Sequence, residues 1–89
     1  MTDVSTNHPS GLPYIELLVE GRKISFRRDC FGDLKIHRKV NEGEWEVLAQ
    51  RVRSPFVDKD PFPSGTEIAY SVELELDDKT HQYQLDVRL

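Results

Sequence analysis

Residues 66–76 read TEIAYSVELEL, and this stretch decides the fold. Ile68, Tyr70, Val72, Leu74 and Leu76 take every second position, with Glu67, Ala69, Ser71, Glu73 and Glu75 between them. Side chains of an extended chain point alternately to opposite faces, so a period of two writes a strand with one apolar and one polar side. Downstream, the DDKT turn at 77–80 leads into residues 82–89, which place Tyr83, Leu85, Val87 and Leu89 on one face. Upstream, Leu34, Ile36, Arg38 and Val40 alternate with Lys35, His37 and Lys39. NEGE at 41–44 then makes a hairpin turn, and WEVLA at 45–49 returns from it.

Nearer the start, residues 14–20 and 22–28 form two short runs that meet at Glu20-Gly21, a tight hairpin. DCFGD at 29–33 is a turn. Residues 51–65, RVRSPFVDKDPFPSG, hold Pro55, Pro61 and Pro63. Proline removes a backbone donor and breaks helices, which leaves a crossing segment with one short edge strand. Residues 1–12 have the composition of a flexible arm. About seven short strands with turn signals between them, and no helical period, predict one all-β domain over 13–89, an antiparallel β-sandwich.

At 89 residues the chain is too short for a doubly wound nucleotide-binding enzyme or a TIM barrel. Its core is built from roughly fifteen to twenty side chains. The lone cysteine, Cys30, excludes an intramolecular disulfide and a multi-cysteine zinc site. No basic-then-apolar leader and no apolar run of membrane-spanning length occur, so the expectation is a cytoplasmic protein or a component of an assembled particle. A domain cut from a longer secreted chain would read the same way. The net charge of −4 is unevenly spread: residues 1–20 carry −3, 21–53 carry +4 and 54–89 carry −5.

Trp45, Val57-Asp58, the corner Pro63-Ser64-Gly65-Thr66, Tyr70 and Val72 together resemble the second half of a fibronectin type III domain. Ile24-Ser25-Phe26 resembles that family's second strand, with Phe26 where a tryptophan is usual, and residues 34–38 resemble its third. Ile68 stands where the family has its corner tyrosine. The resemblance spans about residues 13–89 and implies an immunoglobulin-like sandwich that spaces or binds without chemistry of its own. It also implies that the third strand lies beside the sixth, so that Lys35, His37 and Lys39 face Glu67, Glu73 or Glu75. The basic middle and acidic end would then be neighbours.

Candidate chemistry is sparse. His8, His37 and His81 have no spacing that converges on a metal, and Asp58-Lys59-Asp60 and Asp77-Asp78 lack the rest of a calcium loop. Glycines occur singly, one per turn, and form no phosphate cradle. Beside Asp29, Cys30 reads as a structural thiol rather than a nucleophile. No enzyme, cofactor or metal is expected.

The candidate binding surface consists of Tyr14, Trp45, Phe56, Phe62, Arg27, Arg28, Arg51 and Arg53. Trp45 is assigned to the core, and if exposed it would form a stacking platform with Tyr14. Phe56 and Phe62 form a patch or plug the open edge of the sandwich. The expected partner is a protein, or a second copy pairing through an edge strand. A carbohydrate, met by a row of exposed rings, is the alternative. Nucleic acid, met by the four arginines, is disfavoured by the acidic remainder. No membrane contact is expected.

Overall fold

Seven strands follow one another in the order β1 (Pro13–Leu18), β2 (Gly21–Phe26), β3 (Asp33–Val40), β4 (Glu46–Val52), β5 (Phe56–Asp58), β6 (Glu67–Leu76) and β7 (Lys79–Arg88). The structure, a computed structural model, describes residues 13–26, 32–76 and 78–89. Among these residues there is no helix, and hence none long and apolar enough to cross a membrane. The strands form two antiparallel sheets: a three-stranded one in the order β1-β2-β5 and a four-stranded one in the order β4-β3-β6-β7. The predicted β-sandwich is therefore the observed architecture.

β6, the strand with the cleanest alternation, is central in its sheet, with β3 on one side and β7 on the other. Its inward residues Ile68, Tyr70, Val72 and Leu74 are buried. They pack with Ile24 and Phe26 of β2, Leu34 and Ile36 of β3, and Tyr83 of β7. Ile15, Leu48, Phe56, Leu85 and Val87 close around this core. Phe26 and Tyr83 meet edge to face at 5.6 Å between ring centres, joining the two sheets. On the polar face Lys35 lies opposite Glu73 as the charge pattern implied, while His37 and Lys39 face Ser71 and Ala69.

The first hairpin closes one residue earlier than the sequence suggests. Leu18 pairs with Gly21, so Val19 and Glu20 form the turn and Gly21 belongs to β2. The proline-rich crossing supplies a single three-residue edge strand, β5, paired only with β2. Prolines on both sides keep it short. β4 is also an edge strand; its pairing with β3 shifts twice, from Leu34–Val52 to Ile36–Ala49 to His37–Val47. These bulges twist the edge, and Arg51 takes a positive φ of 55° within them.

The corner before β6 is a turn in which the Thr66 backbone N–H and Oγ1 both donate to the carbonyl of Pro63, at 3.2 and 2.7 Å. Gly65 supplies the positive φ of 92° that such a turn requires at its third residue. At Gly21 the reason for glycine is space: a Cβ there would run into the backbone carbonyl of Asp58 on β5. Gly21→Ala is expected to push β5 off β2 and cost about 1–3 kcal/mol. Gly65→Ala has open space around it and is expected to cost about 1–2 kcal/mol from backbone strain alone. Urea unfolding of the two variants checks this, and near-neutral Gly21→Ala would show that β5 sits elsewhere.

Candidate functional site

The inward register of the strands places two arginines where apolar residues are the rule. Arg22 precedes Ile24 and Phe26 on β2, and Arg38 follows Leu34 and Ile36 on β3. Both are buried, as is Asp58 on β5, which is only 2% exposed. Unpaired charges at such depth are prohibitively costly, so the three must satisfy one another.

They do so across the gap between the sheets. Arg38 donates from one terminal nitrogen to both Asp58 carboxylate oxygens, at 3.1 and 3.0 Å. The same nitrogen reaches Asp60 at 2.8 Å, and the other reaches Glu46 at 3.2 Å. Arg22 approaches Asp58 at 3.2 Å, donates to the backbone carbonyl of Asp60 at 2.7 Å, and gives its Nε–H to the Tyr70 hydroxyl at 3.0 Å. Tyr70, fully buried, in turn donates to Asp58 Oδ2 at 2.6 Å. Phe62 lies against both guanidiniums, with their central carbons 5.3 and 5.1 Å from its ring centre. Arg22 and Asp58 belong to the three-stranded sheet, Arg38 and Tyr70 to the four-stranded one.

Burial alone would raise the Asp58 pKa, but the hydrogen bonds from Tyr70, Arg38, the Asp60 backbone and Arg22 outweigh it and hold the carboxyl below its ordinary range. Burial, reinforced by the bond to Asp58, pushes the Tyr70 phenol well above its usual value. The phenol therefore stays protonated at neutral pH and serves as donor, not base. The Asp58 oxygens and the Tyr70 hydroxyl are spent inside the cluster. Arg22, Asp60 and Phe62 also border an open recess at the end of the sandwich. Arg38 Nε is buried without a hydrogen-bond partner.

The sequence-predicted surface residues separate. Trp45 lies before β4 rather than in it and is 41% exposed, which corrects the core assignment. Lys39 of β3 lies over it, with Nζ 5.2 Å from the ring centre. Val47, opposite His37, shares that outer face and is exposed as well. Tyr14 pairs with Ser25 on the outer face of the other sheet, so the two rings form no common platform. Phe56 and Phe62 are half-buried plugs against the core.

Arg53 pairs with Asp33 at 3.0 Å, Arg51 is exposed on the bulged edge, and Arg27 and Arg28 lie outside the described residues, as does Cys30. Beside Lys39 the same outer face has a shallow recess of about 480 Å³, floored by Ala69 and bordered by Glu67, Gln84 and Asp86. Among the described residues no cluster of three or more metal-ligating side chains occurs.

No protein-family model matches this chain, and comparison with curated proteins and with solved structures gives no match.

Sequence reasoning missed the ion cluster, although a signal was present: an arginine in phase with Leu34, Ile36 and Val40 demands an acid facing it. Asp58→Asn removes the buried carboxylate that both guanidiniums share and is expected to cost about 3–5 kcal/mol. Tyr70→Phe should cost about 1–3 kcal/mol for the lost bonds. Because the folded pKa of Asp58 is depressed, its contribution is complete above the unfolded value of about 4 and disappears as pH falls through the folded one. Thermal unfolding followed from pH 7 to pH 2 should show that acid loss in the wild type and a flatter profile in Asp58→Asn.

Proposed function

We propose that the chain is a non-catalytic β-sandwich module that joins protein partners or builds an assembled particle, docking through the β4 edge around Trp45. One observation carries this reading: Trp45, immediately before the edge strand β4, and Val47, on that strand's outer side, stand exposed together. Tryptophan is one of the residues enriched among the anchors of protein interfaces, and an unpaired strand edge offers backbone groups to an incoming segment. Lys39 over the indole limits its rotamers, which lowers the entropy lost on docking. The adjacency of β3 and β6 and the corner before β6 support a fibronectin type III-like relationship.

The rival readings find less support. A sugar platform calls for several exposed rings, and among the described residues Trp45 is the aromatic side chain left exposed. Of the four arginines of a polyanion surface, Arg27, Arg28, Arg51 and Arg53, the first two lie outside the described residues and Arg53 is paired with Asp33. The absence of a reacting constellation in the sequence, and an ion cluster whose members face one another, favour binding over catalysis.

Tagged wild-type chain and Trp45→Ala and Val47→Ser variants, expressed in the source cell and purified with bound proteins, test this. The expected result is a defined partner retained by the wild type and reduced about tenfold or more by Trp45→Ala, a loss of about 1.4 kcal/mol or more. Circular dichroism should show the variants folded. A partner that stays bound to both variants would contradict the proposal.

A further inference from the structure

A second surface lies at the end of the sandwich, over the ion cluster. Leu17 is the register partner of Arg22 and so faces inward, yet it is 59% exposed because the layers do not cover it. Next to it, Val19 projects from the β1–β2 turn with a relative exposure of 107%. Together with Pro61, Phe62 and Leu89 these residues border a recess of about 390 Å³. Single exposed aliphatics are ordinary, but an inward-facing leucine left open beside a projecting valine is a contiguous apolar patch.

The geometry points to a second copy of this chain as the occupant, in a two-fold dimer that buries the β1–β2 turn of each protomer against the recess of the other. The patch is self-complementary in shape, since it contains both a projection, Val19, and a hollow beside it. It is self-complementary in charge as well. Glu20 and Lys59 both border the recess, carry opposite signs, and form no ion pair with a described residue. A two-fold axis brings residue i of one protomer to residue j of the other and j to i, so one such patch yields two Glu20–Lys59 contacts. Locally neutral, the patch avoids the repulsion that a net charge of −4 would otherwise impose on self-association. The surface is distinct from the β4 edge and the inference does not rest on it. Docking would also drain water from above Phe62 and Arg22, strengthening the charge pairs beneath.

Sedimentation velocity of the full chain up to about 1 mM, the range suited to an interface of small area, tests this. The expected result is a reversible monomer–dimer equilibrium. Val19→Asp and Leu17→Glu should each weaken it about tenfold or more. Glu20→Lys and Lys59→Glu should each weaken it alone and restore it when combined. Trp45→Ala should leave it unchanged, which separates this surface from the partner site. A wild-type chain that stays monomeric throughout would overturn the inference. So would a dimer indifferent to Leu17→Glu, or charge reversals that fail to compensate.

Discussion

The fold turns on one buried carboxylate. Asp58, on a strand of only three residues, is reached by two guanidiniums and a phenol. Two of these three partners come from the opposite sheet. Hydrophobic burial brings the sheets together, but it is indifferent to small shifts of a short edge strand. The charges are not indifferent. Any register of β5 that withdraws Asp58 leaves Arg22 buried without a carboxylate partner and takes from Arg38 its one buried partner, a penalty of about 3–5 kcal/mol against a total stability of order 5–10 kcal/mol for a domain of this size. A well-packed apolar replacement of the whole cluster could be as stable. What the cluster adds is a unique placement of the proline-rich crossing, and through Phe62 a fixed plug for one end of the core.

That placement turns the charged groups of the cluster inward and leaves apolar groups exposed elsewhere. The carboxylate, phenol and two guanidiniums of the cluster are engaged with one another. The large apolar side chains left exposed among the described residues lie at the margins: Trp45 and Val47 by the β4 edge, and Leu17 and Val19 at the open end. Both are apolar groups held by rigid strands or a tight turn, which keeps the entropy lost on binding low. The bulges in β4 interrupt the edge against indiscriminate strand pairing, while Trp45 and Val47 stay exposed.

Much of the architecture was legible in the sequence. β6, β3 and β7 announce themselves by strict alternation, and the prolines at 55, 61 and 63 confine β5 to a short edge. The facing of Lys35 and Glu73 followed from the charge pattern once the order of strands was inferred. The site was less legible. Arg38 was visible in the apolar phase of β3, but its partner lies twenty residues away in a segment with no periodicity, so only the three-dimensional crossing reveals Asp58 as its complement. Trp45 misled because aromatic bulk suggests the core, whereas the hairpin turn places it just before β4 and outside the layers.

The most direct test of the central claim is a double-mutant cycle between Tyr70→Phe and Asp58→Asn, read by urea unfolding at neutral pH. If the phenol and the carboxylate act as one latch between the sheets, the double variant should lose less than the two singles together, by about 1 kcal/mol or more. Additivity within about 0.5 kcal/mol would mean that the two groups stabilise the protein independently, and that the sheets are held without them.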